Sequence, residues 1–319
     1  MVQPDFNSCP FAAKRVRSEF LLMALKVFLT SLAALMTTNV AGALPVSSFT
    51  NDFIAMDTCL KVPNPSSEIE WGKQFDLVKA AGYAGITWAE GEPQQVKRAA
   101  DAARKRGLRF AAIYCGATLT KTNLMINPSL RQTMEFLKGE GTLIWLYVAS
   151  RDFKSSSDAG DDVAIPALRD LANLAASNGL RVAIYPHVGT WTERVQDAIR
   201  IARKVGRPNF GVTFNLCHSL HVGDEQRIPG LLTEAAPFLF MVTVNGADAN
   251  VQGGWERLIQ PLDRGSYDLS ALLRRLRDLN YVGPVSLQGY GVKGDVNENL
   301  SHSMAGWRKY LRTLNEPSN

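Results

Sequence analysis

Short apolar runs alternate with longer amphipathic stretches along most of the chain, at a spacing of about 25 to 35 residues. Apolar runs bounded by Gly, Pro or polar residues are typical of buried strands. The eight predicted strands are 51–59, 83–89, 108–114, 142–148, 180–186, 210–216, 238–245 and 284–290. Between them, apolar residues recur at helical spacing, which predicts helices at 69–81, 93–106, 128–138, 163–178 and 268–280, one that ends at Gly206, a short one ending near Pro237, and a last one that includes Leu300 and Leu311.

These units indicate how the chain is connected. A helix that joins two buried strands makes those strands parallel. Eight successive strand-helix units predict an α/β fold, a single (β/α)8 TIM barrel, over residues 44–319. An open doubly wound sheet is the alternative, but no glycine-rich phosphate-binding turn follows the first strand.

The unit at residues 180–221 carries two histidines at equivalent places. His187 follows the apolar run 180–186, and His218 follows the run 210–216. The spacing of Thr190 and Glu193 predicts a capping box at the start of the intervening helix, which Gly206 ends. Both histidines should therefore lie at the carboxyl ends of parallel strands, where barrel enzymes hold their active sites.

Residues 1–43 have the pattern of an export signal. Lys14, Arg15 and Arg17 precede a mostly apolar stretch, and Ala41 and Ala43 form a small-residue cleavage site. We expect cleavage near residue 44 and an exported protein, periplasmic or secreted, without a stable membrane anchor. A retained anchor is the alternative.

Charge and cysteine content exclude some classes. Cleavage removes four of the 35 basic and two of the 30 acidic residues, so the formal charge falls from +5 to +3. No basic block remains to follow a phosphate backbone, so nucleic acid is not an expected partner. Three cysteines remain, Cys59, Cys115 and Cys217, so at least one thiol is free, and no C-x-x-C pair suggests a zinc site.

Candidate proton carriers lie at the predicted strand ends. His187 and His218 can act near neutral pH, and Glu90 or Asp57 could act as a general base. Each could instead bond only to loop backbone. We take His187, His218 and Glu90 as the candidate catalytic residues.

Polar and aromatic residues at the same edge could hold a ligand. Amides embedded in apolar strands must find partners, which can be one another or a ligand. Aromatic rings can stack on the apolar faces of a sugar or pack in the core. The candidate substrate-binding residues are Tyr185, Asn215, Asn245, Gln288, Trp88, Trp191 and Tyr290. The polar loop 149–162 is a candidate substrate lid.

Several segments resemble one family over essentially all of residues 44–319. They are IYPHVGTWTE, FGVTFNLCHSLHVGDE, VTVNGAD, PLDRGSYD and GPVSLQGYG. They resemble the xylose isomerase-like TIM barrels, also called the sugar phosphate isomerase/epimerase superfamily, and suggest an exported branch. The resemblance is strongest from residue 163 onward.

The resemblance implies a divalent metal held by a carboxylate, an aspartate, a histidine and a glutamate on strands five to eight. The matching positions here are Tyr185, Asn215, Thr243 or Asn245, and Gln288. Neutral amides hold divalent ions less strongly than carboxylates do, so we expect no tightly bound cofactor. A weakly bound divalent metal at His187 and His218, with amide oxygens, stays open.

The resemblance and the polar strand ends together predict a sugar isomerase/epimerase-like enzyme. It would act on a free sugar, keto-sugar or related derivative by abstracting a proton next to a carbonyl. Its partner would be a small-molecule carbohydrate. The alternatives are a non-catalytic carbohydrate-binding barrel and a lyase on oxidised glycosides. A metal-dependent endonuclease on abasic DNA would need a His, Asp and Glu cluster and a basic groove, and neither is present in the sequence pattern.

Overall fold

The computed structural model of the protein describes residues 48–60, 68–251 and 254–316, all within the unit Val46–Asn319. The predicted export signal, residues 1–43, lies outside the described residues. Within the described part of the chain, no helix has both the length and the apolar character needed to cross a membrane.

Eight parallel strands close into a barrel, because β1 pairs with β2 on one side and with β9 on the other. The strands are β1 Phe53–Met56, β2 Gly85–Ala89, β3 Arg109–Leu119, β4 Leu124–Ile126, β5 Leu143–Ser150, β6 Arg181–Ile184, β7 Phe210–Asn215, β8 Leu239–Val244 and β9 Val285–Leu287. Strand β4 is outside the closed barrel and pairs antiparallel with the end of β3. The predicted barrel is confirmed, and the open doubly wound sheet is wrong.

The α-helices surround the barrel and follow the predicted apolar stripes closely. They are α1 Glu68–Ala81, α2 Pro93–Lys105, α3 Leu130–Phe136, α4 Asp161–Ser177, α5 Val195–Val205, α6 Leu216–His221, α7 Ile228–Ala235, α8 Trp255–Leu258, α9 Leu269–Asp278 and α10 Val296–Asn315. In α5 the predicted stripe is buried, and Gly206 ends the helix in the left-handed conformation at φ 60°.

The predicted capping box at the start of α5 is wrong. The helix begins at Val195, and Asp197 Oδ2 accepts the backbone N–H of Arg194 at 2.9 Å. Glu193 instead accepts the N–H of Gly189 at 2.9 Å, while the hydroxyl of Thr190 donates to the His187 carbonyl at 2.7 Å. Thr190 and Glu193 thus stabilise the turn after β6, and the helix starts beyond them, at Val195.

Trp145 fills much of the barrel interior. Its side chain is fully buried, its Nε1–H donates to the hydroxyl of Thr213 at 2.5 Å, and its ring lies 4.4 Å from the Tyr185 ring, centroid to centroid. The inner core around it consists of Ile54, Met56, Ala111, Ala112, Leu143, Ala183, Tyr185 and Met241. Trp145 therefore forms the floor on which the polar end of the barrel rests.

The loop 149–162 is bonded to the segment around the start of α5 and does not line the central cavity, and its role as a substrate lid stays a prediction. The backbone N–H of Ser156 donates to the Trp191 carbonyl at 3.0 Å, and its hydroxyl donates to Asp197 at 2.6 Å. The carbonyl of Ser157 accepts the indole N–H of Trp191 at 2.7 Å. These bonds tie the loop to the start of α5, and none of its residues lines the central cavity.

Cys59, Cys115 and Cys217 are all free thiols. Burial raises the pKa of each thiol, for Cys217 to about 12. No group of three or more His, Cys, Asp or Glu residues in the described part of the chain could hold a metal ion. The cysteines therefore behave as small buried residues.

Candidate functional site

A cavity of about 580 Å³ opens at the carboxyl ends of the barrel strands. That volume is in the usual range for small-molecule sites. The lining residues are Met56, Thr58, Tyr114, Tyr147, Tyr185, His187, Val188, Thr190, Cys217, His218, Trp255, Ile259, Gln288 and Tyr290. Five aromatic side chains and two histidines thus face one space.

His187 presents one free ring nitrogen at this cavity. Its Nδ1–H donates to the carbonyl of Val188 at 3.0 Å, so Nε2 carries the lone pair, and no described residue is hydrogen-bonded to it. Burial lowers the pKa of His187 from its usual 6.5, which the bond to Val188 opposes only in part. The ring is therefore neutral at neutral pH and can accept a proton.

His218 lies directly against His187, with ring centroids 4.1 Å apart. The N–H of Val188 points at His218 Nδ1 at 3.5 Å, so Nε2 carries the hydrogen and donates to Tyr185 Oη at 3.2 Å. Burial, followed by the proximity of His187 and His221, holds the pKa of His218 well below its usual value. His218 is thus a neutral donor to the tyrosine.

The hydroxyl of Tyr185 is the meeting point of several strand ends. Asn215 Nδ2–H donates to Tyr185 Oη at 2.9 Å, and His218 Nε2 lies 3.2 Å from the same oxygen. Burial, and next the Cys217 thiol, raise the pKa of Tyr185 well above its usual value. Tyr185 therefore keeps its proton at neutral pH.

The amide oxygens of Asn215 and Gln288 are already occupied. Gln288 Oε1 accepts the hydroxyl of Thr58 at 2.5 Å and the N–H groups of Gly289 and Tyr290 at 3.0 and 3.1 Å. Asn215 Oδ1 accepts the Cys217 thiol at 3.0 Å. The Asn215 amide thus directs its N–H group toward Tyr185, and neither amide oxygen is left free for a ligand.

These side chains do not fit a divalent metal. A metal site needs oxygen or nitrogen lone pairs, and anionic carboxylates above all. Here Asn215 and His218 each direct an N–H group at the Tyr185 hydroxyl, and the Gln288 oxygen is taken up by three donors of the protein. The weak two-histidine metal site left open by the sequence has the same difficulty, because His187 Nδ1 and both His218 nitrogens are engaged within the protein.

Asn215 and Asn245 do not line the cavity. Asn215 is 1% exposed and reaches the site only through its bond to Tyr185. Asn245 is fully buried, and its Nδ2 donates to the carbonyls of Gly246 and Leu258 at 2.7 and 2.6 Å. Asn245 therefore anchors the segment after β8, which carries Trp255, and the predicted ligand contact of both asparagines is corrected.

Trp88 and Trp191 are buried residues that do not line the central cavity. Trp88 packs edge-on against Phe75 at 5.3 Å between the barrel and α1. Trp191 is 1% exposed, and its indole N–H is bonded to Ser157. Of the predicted aromatic contacts, Tyr290 does line the cavity and is 64% exposed.

Glu90 lies outside the central cavity, beside a separate space of about 240 Å³ that it shares with Asp57. Burial raises the pKa of Glu90, while a hydrogen bond from Asn127 opposes the shift. The structure thus separates Glu90 from His187 and His218, which line the central cavity, and its role as a catalytic base stays a prediction.

Tyr114 connects Asp57 to the central cavity. The hydroxyl of Tyr114 donates to Asp57 Oδ1 and Oδ2 at 2.8 and 2.9 Å, and the N–H of Ala89 donates to Oδ2 at 3.2 Å. Burial raises the pKa of Asp57 from 3.8 to about 6, and these hydrogen bonds only limit the rise. The Asp57 carboxyl is thus a weaker acid than the carboxyl of an exposed aspartate.

Replacing Asp57 by asparagine is expected to stabilise the protein above pH 6. The native carboxyl, with its pKa at about 6, holds its proton more tightly than the unfolded chain at 3.8, so wild-type stability falls as pH rises between these values. The total is at most about 3 kcal/mol. Urea unfolding at pH 4, 5, 6 and 7.5 should show the variant's advantage growing up to pH 6 and then staying level.

The control for that series is Asp76→Asn. Asp76 is exposed and hydrogen-bonded to Arg106, which lowers its pKa. Its replacement should change stability with pH in the opposite direction. An advantage of Asp57→Asn that is independent of pH would contradict the raised pKa.

Several residues of the cavity wall were not identified from the sequence, among them the aromatic residues Tyr147 and Trp255. Tyr147 is two positions after the buried Trp145 in β5, so strand alternation could have placed it on the same inner face. Trp255 stacks on His221, with centroids 4.4 Å apart, and approaches His218 at 5.5 Å. It comes from an irregular segment that has no periodic pattern.

The closed parallel barrel and its cavity at the carboxyl ends define the chain as a (β/α)8 barrel protein with a small-molecule site. A family model described as xylose isomerase-like TIM barrel matches residues 75–314. The chain belongs to that family, and the resemblance found in the sequence is confirmed.

Solved structures with the same fold include sugar epimerases. D-allulose 3-epimerase from Methylomonas sp. in complex with D-allulose has a TM-score of 0.64 and 14% identity, over 82% of this chain and 99% of that one. For 3-keto-D-glucoside 4-epimerase from E. coli the TM-score is 0.62 and the identity 17%, over 83% of this chain and 100% of that one. For the IolI protein with a binding zinc atom the TM-score is 0.60 and the identity 13%, over 83% of this chain and 100% of that one. At such identities these likenesses show the fold, and no curated protein matches the sequence significantly.

Proposed function

We propose that the protein is a sugar isomerase or epimerase that removes a proton next to the carbonyl of a free sugar, keto-sugar or related derivative. The observation that carries the proposal is the His187 ring, which is neutral and directs an unbonded Nε2 toward a cavity of about 580 Å³. A neutral imidazole is a suitable general base for such a step. His218, whose two nitrogens are engaged, positions its neighbours instead.

The cavity walls support a carbohydrate ligand. Tyr114, Tyr147, Trp255 and Tyr290 offer aromatic surface for the C–H faces of a sugar ring, while Thr58 and Thr190 can bond to its hydroxyl groups. No Lys or Arg is among the described residues that line the cavity. A sugar phosphate would leave its charge unpaired there, so we propose a substrate without phosphate.

The proposed setting agrees with this substrate. Residues 1–43 predict a cleaved export signal, and we propose that the protein acts in the periplasm or outside the cell. Free sugars and oxidised glycosides, rather than sugar phosphates, are the carbohydrates suited to such a place.

Proton exchange in D₂O tests the proposal. Free aldoses, free ketoses and keto-glycosides are incubated with the enzyme, and ¹H NMR and mass spectrometry follow deuterium entering the carbon next to the carbonyl. We expect exchange with at least one class, accompanied by an isomer or epimer.

The same experiment separates the alternatives. A carbohydrate-binding barrel would bind a sugar in calorimetry and give no exchange. A lyase would give exchange together with an unsaturated product. Either outcome would contradict the isomerase or epimerase proposal.

A further inference from the structure

Two N–H groups converge on one oxygen at the cavity. Asn215 Nδ2 lies 2.9 Å from Tyr185 Oη, and His218 Nε2 lies 3.2 Å from the same atom. Such a set of donors stabilises negative charge on an oxygen and repels a cation. The polarity of this ring is opposite to that of a metal site.

The direction of each bond follows from its partners. His218 Nδ1 faces the N–H of Val188, so its hydrogen is on Nε2. The oxygen atoms of Asn215 and Gln288 are bonded to donors elsewhere. The Tyr185 oxygen therefore only accepts hydrogen bonds from these neighbours, and none of the described residues accepts the hydroxyl hydrogen itself.

We propose that the Tyr185 hydroxyl polarises the substrate carbonyl in this protein, in the place where its family would use a divalent metal. The inference rests on the proposed function and names the electrophile of that site. Tyr185 lines the cavity beside His187, with ring centroids 5.5 Å apart. One small carbohydrate can thus meet the base and the hydroxyl together.

The proton balance of the step is simple. His187 Nε2 takes the proton from the carbon next to the carbonyl, the C–H electron pair becomes the C=C bond, and the carbonyl π pair moves to oxygen. The O–H of Tyr185 donates to that enolate oxygen. Asn215 and His218 strengthen the donor because each draws electron density from the phenol oxygen. Isomerisation is completed when His187 returns the proton to the former carbonyl carbon, while the hydroxyl proton of the neighbouring carbon passes to the enolate oxygen.

The first test removes only the hydroxyl. We expect Tyr185→Phe to lower kcat for exchange by about 10²- to 10³-fold, the usual effect of one oxyanion donor. Calorimetry should show the Kd of the substrate sugar changed by less than about threefold, and that of a planar sugar hydroxamate, a mimic of the enolate, weakened by about 10²-fold.

The matched control is Tyr281→Phe. Tyr281 loses the same atom at the other end of the barrel, where its hydroxyl donates to the Pro284 carbonyl at 2.8 Å. It should keep wild-type exchange. Full exchange by Tyr185→Phe, or equal loss of sugar and hydroxamate affinity, would overturn the proposal.

The second test measures the metal directly, without activity. Wild-type protein, stripped with EDTA and titrated with Mn²⁺ in calorimetry and electron paramagnetic resonance, should show no stoichiometric site. The variant Tyr185→Glu/Asn215→Asp/Gln288→Glu should gain Mn²⁺ affinity by at least 10²-fold. A stoichiometric Mn²⁺ or Zn²⁺ site in the wild type, with exchange lost on chelation and restored by the ion, would overturn the role of Tyr185.

The two proposals fail in different ways. If metal proves necessary for exchange, the isomerase or epimerase function stands and the tyrosine proposal is wrong. If no sugar exchanges, with or without added metal, the proposed function is wrong, and the titration still decides whether the Tyr185 site takes a cation. The metal titration of the wild type also decides the matter if Tyr185→Phe does not fold.

Discussion

Replacing His187 by glutamine is expected to lower kcat for proton exchange by about 10²- to 10⁴-fold. Glutamine keeps a polar side chain of similar reach but has no basic nitrogen, so the substrate can bind while the proton stays on carbon. Single-turnover exchange in D₂O, together with sugar binding in calorimetry, separates the two effects. Sugar affinity should change by less than about tenfold.

The control for this variant is His302→Gln. His302 is exposed on α10, where it pairs with Asp263 at 3.2 Å, far from the strand ends that form the cavity. It should leave exchange unchanged. Retention of more than a tenth of wild-type kcat by His187→Gln would show that another group is the base.

The pH profile provides a second check on His187. Because burial lowers the pKa of His187 below 6.5, the basic form predominates at pH 7. We expect kcat/KM to be level between pH 7 and 8 and to fall only at pH values below 6.5. An acid limb above pH 6.5 would contradict the burial of the ring.

Replacing Trp145 by alanine is expected to lower the free energy of unfolding by about 3 to 5 kcal/mol. The side chain is fully buried inside a closed ring of strands that cannot collapse around the space left behind. The hydroxyl of Thr213 also loses its donor, and the Tyr185 ring loses the surface on which it rests. Urea unfolding measures the change.

A matched comparison uses Trp255→Ala. Trp255 is half-buried at the start of the short helix α8, and its loss should cost less than about 1 kcal/mol. Trp145→Phe retains most of the buried ring and should lose about half as much stability as Trp145→Ala. Equal losses for Trp145→Ala and Trp255→Ala would contradict the role of Trp145 as the barrel floor.

The fold could be predicted because its signal is local and repeated. Each buried strand is a short apolar run, each helix has an apolar stripe, and a helix between two strands dictates a parallel pair. Deviations occur where tertiary contacts extend an element. Strand β3 was predicted to end at Tyr114 but continues to Leu119. It does so because its extension pairs with β5 on one side and with the hairpin strand β4 on the other.

The candidate site could be predicted in part. His187, His218, Tyr185 and Gln288 reach the cavity because strand ends of a barrel share one edge. Glu90, Trp88 and Trp191 also follow or occupy strand ends, but side-chain direction carries them into other spaces. A position next to a strand end in the sequence does not show whether the side chain points into the barrel or toward the surrounding helices.

The amino-acid sequence alone determined the eight-unit barrel, the family, and the two histidines at the carboxyl ends of the strands. Periodicity and motif spacing suffice for these features because they record local structure and order along the chain. Only the tertiary structure decided that Asn215 turns its N–H group toward Tyr185 and that Gln288 uses its oxygen within the protein. That orientation depends on partners far apart in sequence, such as Thr58 and Gln288, whose bond spans 230 positions. An amide offers a donor or an acceptor, and its neighbours in space determine which of them faces the ligand.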